Sequence, residues 1–172
     1  MERKLNVGII GLGLGRHHLA GYADNSQVDI VGVADLDRKR LQEVSDQYRI
    51  PNVCDSYHDL LKLEPDLVSV ALPNYLHASA TIDSLKAGAH VLCEKPMAMN
   101  AAEAQRMVTA SKRYKRYLMI ALNNRFRTEV QILRKLIEQG ELGEIYYAKT
   151  GWLRRRGIPG AGGWFTTKAR SG

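Results

Sequence analysis

Six short apolar runs recur along residues 4–122, and a segment of helical character separates almost every pair of them. This alternation constrains the fold more than any single residue does. Lys4 to Gly11, Val28 to Asp35, Asn52 to Cys54, Leu67 to Leu72, His90 to Cys93 and Leu118 to Leu122 read as strands. Most are apolar without a polar face, as strands covered on both sides must be. Helices are expected over about Leu14 to Tyr22, Asp37 to Tyr48, a small one after Cys54, Asn74 to Ala87 with Gly88 closing it, and Asn100 to about Lys115. Asn100 with Glu103, and Ser56 with Asp59, have capping-box spacing. Strands joined by helical crossovers must run parallel, so the expected class is α/β, a doubly wound parallel sheet of dinucleotide-binding type ending near Leu122.

Past that sheet, Thr128 is expected to cap a helix that turns Val130, Leu133, Leu136 and Ile137 inward and stops at Gly140. Ile145 to Leu153 is expected to form a long strand. The organisation is therefore a Rossmann domain over residues 1–122, with residues 123–172 opening an α+β substrate domain that the chain leaves truncated.

Composition excludes some classes. At 45% hydrophobic and 25% charged residues the chain has ordinary globular character. No apolar run approaches the ~20 residues of a membrane span, and the start lacks a signal-peptide pattern. A cytoplasmic protein without a membrane or metal site is expected, with Cys54 and Cys93 as buried free thiols. Six of the 25 Lys and Arg, and none of the 18 Asp and Glu, lie in residues 145–172. A nucleic-acid arm is one reading of that tail. Trp152, Trp164 and Phe165 interleave with it at strand-like spacing, which favours a folded segment and no nucleic acid.

The chemistry-bearing residues sit at strand ends. Gly11-Leu12-Gly13-Leu14-Gly15 lies where the first strand turns into a helix, the context in which a glycine fingerprint is meaningful. Gly11 permits the tight turn, and Gly13 lets a pyrophosphate approach backbone N–H groups at the helix N-terminus. Arg16 occupies the place of the usual third glycine, leaving the helix-packing role to Gly15. Asp35 ends the second strand, where a carboxylate accepts from the adenosine ribose hydroxyls and repels a 2′-phosphate. NAD is therefore expected over NADP, a preference that Arg38 and Lys39 would soften. Asp37 serves better than Asp35 as the cap of the following helix. Leu72-Pro73-Asn74 and His77 follow the fourth strand, where Asn74 can cap a helix. Glu94-Lys95-Pro96 follows the fifth, where desolvation and the neighbouring carboxylate can tune a partly buried lysine. His17 and His18 are read as packing or surface residues.

The runs Ala71-Leu-Pro-Asn-Tyr-Leu-His-Ala78 and Ala87-Gly-Ala-His-Val-Leu-Cys-Glu-Lys-Pro96 resemble one family closely, the Gfo/Idh/MocA oxidoreductases that include glucose-fructose oxidoreductase and inositol dehydrogenase. The resemblance covers essentially the whole chain. It implies hydride transfer between a nicotinamide and a secondary alcohol or carbonyl of a sugar or cyclitol. It implies that Leu72, Pro73, Asn74 and Glu94 line the cofactor, that His77 lies near the nicotinamide ribose, and that Lys95 is catalytic, holding the substrate hydroxyl and assisting its proton loss. A cis Lys95–Pro96 bond is a habit of the motif, consistent with the low cis penalty of about 0.5–1 kcal/mol. Asn123-Asn124-Arg125 resembles a segment at the mouth of the same crevice, placing Asn123 and Arg125 beside cofactor or substrate. The family's Asp…His acid/base pair is expected on a helix shortly after a Gly-rich loop that would begin at Ser171-Gly172, and no histidine follows His90. The chain is thus expected to be inactive alone, and to self-associate through its C-terminal segment. The rival from another class is a non-catalytic nucleotide-binding protein.

Overall fold

A computed structural model describes residues 3–153, 155, 157 and 163–171. Strands β1 (Leu5–Ile10), β2 (Val28–Ala34), β3 (Val53–Cys54), β4 (Leu67–Val70), β5 (His90–Cys93) and β6 (Leu118–Ile120) form one sheet in the order β3-β2-β1-β4-β5-β6. Every pairing is parallel. Helices α1 (Gly15–Ala23), α2 (Arg38–Tyr48), α3 (Tyr57–Leu61), α4 (Asn74–Lys86) and α5 (Ala101–Tyr114) connect the strands. This is the doubly wound sheet that the alternation of the sequence demands.

From Val7 onward β1 is buried and serves two cores, which is why that part of the strand carries no polar side chain. Val7 and Ile9 pack with Leu19 of α1 and with Leu41 and Val44 of α2. Ile10 joins Leu60 of α3, Ala80 and Leu85 of α4 and Met107 of α5 on the other side. Each of the larger side chains contributes about 1.5–3 kcal/mol by leaving water. Gly8 and Gly32 stand in register on β1 and β2. A Cβ on either would fall about 3 Å from the Leu60 side chain, at 3.0 Å from Gly8 and 2.8 Å from Gly32. The glycine pair is the seat into which α3 drops its leucine.

Helix starts follow local chemistry. Asp37 accepts from the Arg40 N–H and Asn100 from the Glu103 N–H, while the Glu103 carboxylate reaches back to Met99. Ser56 caps α3 through the His58 N–H. Asp59 does not complete a capping box there, because its carboxylate pairs with Lys62 at 2.7 Å.

Beyond β6 three expectations are corrected. Arg127, not Thr128, occupies the N-cap of α6 (Thr128–Glu138), and no side chain caps it. The α6 face carrying Val130, Leu133, Leu136 and Ile137 is open to solvent rather than inward. Residues 145–153 adopt no regular secondary structure; a β-prone sequence becomes a strand only beside a partner, and none pairs with it among the described residues. A 3-10 turn (Trp164–Thr166) and the short α7 (Lys168–Ser171) follow, with α7 against α4. Arg154, Arg156 and Gly172, where the Gly-rich loop is expected to begin, lie outside the described residues. Cys93 is buried but Cys54 only half-buried. Among the described residues no helix is long and apolar enough to cross a membrane.

Candidate cofactor and active site

The strand order reverses between β1 and β4, and a parallel sheet opens a crevice at such a point, outside the C-terminal strand ends. Here a crevice of about 980 Å³ lies there, walled by the loops that leave β1, β2, β4 and β5. That volume suits a bound small molecule of cofactor size.

The β1 loop sets its floor. Gly11 has φ +85°, and a Cβ on it would lie 2.6 Å from the Ala71 carbonyl oxygen, so only glycine fits this turn. A Cβ on Gly13 would meet nothing within 4 Å, leaving the backbone open to the crevice. Gly15 lies beneath it: a Cβ there would approach Ile9 at 3.0 Å and Ala71 at 3.3 Å, so α1 sits close on the sheet. Leu14, at the N-cap of α1, is half exposed on the lining.

Asp35 faces the crevice from the end of β2 but is heavily engaged. Its Oδ2 accepts from the Leu12 N–H at 2.6 Å, and its Oδ1 from the Asp37 N–H at 2.9 Å. The carboxylate therefore ties the glycine turn to the second strand. The cation beside it is Arg40, at 3.2 Å. Arg38 and Lys39, expected to soften its charge, turn instead to Asp55 and Glu43.

Leu72, Pro73 and Asn74 line the opposite wall. Pro73, not Asn74, holds the N-cap of α4. The Asn74 amide is buried and donates to the Ser171 carbonyl at 2.8 Å, which brings Trp164 and Phe165 to the rim of the crevice. His77 is fully buried behind the wall, not in it. Its Nδ1 stands 2.7 Å from the Pro96 carbonyl and its Nε2 2.7 Å from that of Leu72. The ring therefore braces the loop after β5 against the loop after β4.

Glu94, Lys95 and Pro96 complete the crevice, and the Lys95–Pro96 bond is cis. Lys95 is exposed rather than partly buried. Its backbone N–H donates to Glu94 Oε2 at 3.0 Å. Asn123 and Arg125 lie apart from the main crevice, in a 380 Å³ recess that also reaches Lys95.

Sequence reasoning missed His18. Its Nε2 is 2.9 Å from Glu94 Oε1 and its Nδ1 is 3.2 Å from the Ser69 hydroxyl, which also meets the Tyr22 hydroxyl at 2.8 Å. A chain of polar contacts thus runs from α1 through β4 to the Glu94-Lys95 turn. Burial pushes the Glu94 pKa up, but the His18 hydrogen bond, the Lys95 N–H and nearby positive charge outweigh it, holding the carboxyl below its ordinary range. Glu94 is therefore ionised at neutral pH and fixes the backbone from which Lys95 projects. Burial pushes the Cys93 thiol up to about 11, so it is no nucleophile near neutrality.

Comparison with known proteins agrees with this geometry. A family model described as "Oxidoreductase family, NAD-binding Rossmann fold" matches residues 5–122. The D-glucoside 3-dehydrogenase of Escherichia coli is 36% identical over 171 residues, covering 98% of this chain and 48% of that protein. The inositol 2-dehydrogenase of Salmonella typhimurium is 34% identical over 145 residues, covering 81% of the chain and 43% of the relative. Among solved structures, the WlbA dehydrogenase from Bordetella pertussis, in complex with NADH and UDP-GlcNAcA, superposes with a TM-score of 0.79 at 30% identity. It is matched over 84% of this chain and 45% of its own. The chain spans about half the length of the curated relatives it matches. A doubly wound sheet, a glycine turn against an acidic strand end and a Glu-Lys-Pro turn on one crevice carry the same conclusion as these matches: the chain belongs to the Gfo/Idh/MocA oxidoreductase family.

Proposed function

We propose that this chain is the cofactor-holding part of an NAD-dependent oxidoreductase that moves a hydride between nicotinamide and a secondary alcohol or carbonyl carbon of a sugar or cyclitol. The observation that carries the reading is the convergence of Gly13, Asp35 and Lys95 on one crevice at the reversal of strand order. The residues present fit a dinucleotide. The open backbone at Gly13 and the N-terminus of α1 would receive the pyrophosphate, and Asp35 the adenosine ribose. Leu36, 90% exposed on the lining, would give the adenine an apolar surface.

NAD, when bound, supplies the hydride acceptor. The protein's own part is to hold donor and acceptor carbons close and to handle the proton. Lys95 would hold the substrate hydroxyl and assist its proton loss, with Glu94 and His18 fixing the backbone beneath it. Asn123 and Arg125, in the recess shared with Lys95, are placed for the far end of the substrate or cofactor. His77 would act indirectly, by bracing the Lys95 turn.

Calorimetric titration tests this directly. The 172-residue chain is expected to bind NAD, more tightly than NADP, yet to reduce no NAD with glucosides or inositols, since it spans about half the length of the dehydrogenases it matches. Absence of NAD binding, or turnover at enzyme-like rates, overturns the reading.

Self-association through the C-terminal segment belongs to the same proposal. The exposed face of α6 adjoins a stretch in which Tyr146, Tyr147 and Leu153 are also open to water, and apolar surface of that extent drives association. Light scattering is expected to give a larger mass for the full chain than for one ending at Asn123. Equal monomeric masses would refute it.

A further inference from the structure

The end of the sheet opposite the crevice carries a charge pattern that nucleotide binding leaves unused. Helices α4 and α5 pack side by side, and each returns the chain to the start of a strand, so both C-termini lie at that end. Lys86 closes α4, while Lys112, Arg113 and Lys115 close α5, all of them exposed. None of these cations pairs with a carboxylate among the described residues. Arg3 and Lys4, at the same end of the sheet, are by contrast engaged with Asp66 and Asp29. Capping does not require the α5 cations. Lys115, in the left-handed conformation, donates its N–H to the Lys112 carbonyl, and Arg116 donates its own to that of Ser111. A helix C-terminus favours a cation, but one would serve, and like charges this close repel.

Tyr117 stands beside them. It is 80% exposed yet held in place. Its N–H donates to His90 Nδ1 at 2.9 Å, and its ring stacks on the imidazole with centroids 5.0 Å apart. One face of the phenol is therefore covered and the other is open to solvent. Arg116 donates its Nε–H to the Gly88 carbonyl, which joins the ends of the two helices into one surface.

We propose that this surface binds single-stranded RNA, with Tyr117 as the platform for one unpaired base and Lys86, Lys112, Arg113 and Lys115 holding the flanking phosphates. Phosphodiester charge complements a set of cations without acids among them, and a fixed ring with a free face stacks any base. RNA is the nucleic acid that presents unpaired bases in loops and bulges. Arg113 lies over the Tyr114 ring at 5.6 Å, a contact that leaves its N–H groups for phosphate. An acidic protein would need an apolar centre to dock on, and a membrane an apolar face to take up. α5 has spent that side, with Met107 and Ala110, on the core. The surface lies at the far end of the sheet from the crevice, so RNA and a nucleotide can be held together and neither needs the other. The basic tail at residues 145–172 is a separate surface, since α7 meets α4 through Asn74, at the other end of that helix.

The test is fluorescence anisotropy of a labelled oligouridylate of about eight nucleotides, titrated with the 172-residue chain. Micromolar binding is expected at low salt. The logarithm of the affinity should fall against that of salt with a slope of about −2 to −3, as three or four phosphate contacts at about 0.7 each would give. Lys112→Gln combined with Lys115→Gln should weaken binding about tenfold and flatten the slope by about 1.4. Tyr117→Leu should weaken it about tenfold and leave the slope unchanged, a split that charge alone does not produce. The replaced side chains are exposed, so melting should not change. Saturating NAD should not displace the strand. Absence of binding, affinity unaltered in either variant, or displacement by NAD overturns the proposal. Equal affinity for a duplex of the same charge, for polyglutamate or for phosphatidylserine vesicles does so too, since each would show a surface that recognises charge without a base.

Discussion

Gly11→Ala is expected to destabilise the chain by about 3 kcal/mol and to abolish nucleotide binding. At φ +85° an alanine costs about 1–2 kcal/mol in backbone conformation alone. The new Cβ would also stand 2.6 Å from the Ala71 oxygen and 2.9 Å from its carbonyl carbon, both main-chain atoms that cannot rotate away. Relieving the overlap moves the β1 turn against the β4 exit, adding about 1–3 kcal/mol as overpacking does. For a chain of this size that is a fall of roughly 6–12 °C in Tm. Gly13→Ala is the control, since its Cβ meets nothing within 4 Å. It should melt within a degree or two of the unmodified chain but bind NAD much more weakly, because the methyl stands where the ligand would approach. Thermal unfolding by circular dichroism and NAD titration of both variants check this. Similar melting losses for the two would show that the turn does not discriminate as described.

His77→Leu is the second large effect. The ring is fully buried and spans two carbonyls 2.7 Å away on loops from different strands. Leucine fills much of the volume but offers no donor, so the carbonyl that receives the ring N–H, that of Pro96 or of Leu72, loses its partner at about 1–3 kcal/mol if no water replaces it, and the two loops lose the ring between them. The expected cost is about 3 kcal/mol, or roughly 6–12 °C in Tm. A readout beyond stability separates bracing from simple packing. In His77→Leu the turn at Lys95 should exchange its amide hydrogens faster, while amides of β1 and β2 keep their rank order. A melting change under two degrees with unaltered exchange at Lys95 would remove His77 from this role.

What could be read from the sequence was what neighbours in the chain encode. The Gly11–Gly15 turn, the caps at Asp37 and Asn100 and the parallel sense of the sheet all depend on residues a few positions apart or on a rule of chain topology. The cis Lys95–Pro96 bond came with the motif. His18 could not be read in this way: its partner Glu94 is 76 residues distant, and nothing on the first helix marks which of His17 and His18 faces the sheet. Arg40 was passed over for Arg38 and Lys39 because distance along the chain is a poor guide at a helix start. The residue three after the cap is the one that turns back over Asp37 and Asp35. The strand expected at 145–153 and the inward face expected for α6 failed for a shared reason. Periodicity and β-propensity state what a segment would do against a partner, and do not supply the partner. The same holds for Lys95, whose exposure follows from how little of the described chain covers it.

The placement of β1 between β2 and β4 has a consequence for synthesis on the ribosome. β1 acquires one neighbour early, but the other begins at Leu67, after 56 intervening residues. At translation speeds of about 5–20 residues per second that interval lasts roughly 3–11 s. Throughout it, a strand that is central in the finished sheet offers at least one bare edge to any other chain. The vulnerable edge exists in time rather than in the finished molecule. Codon choice between Gly11 and Asp66, or growth temperature, would then govern soluble yield even where the folded protein is unchanged.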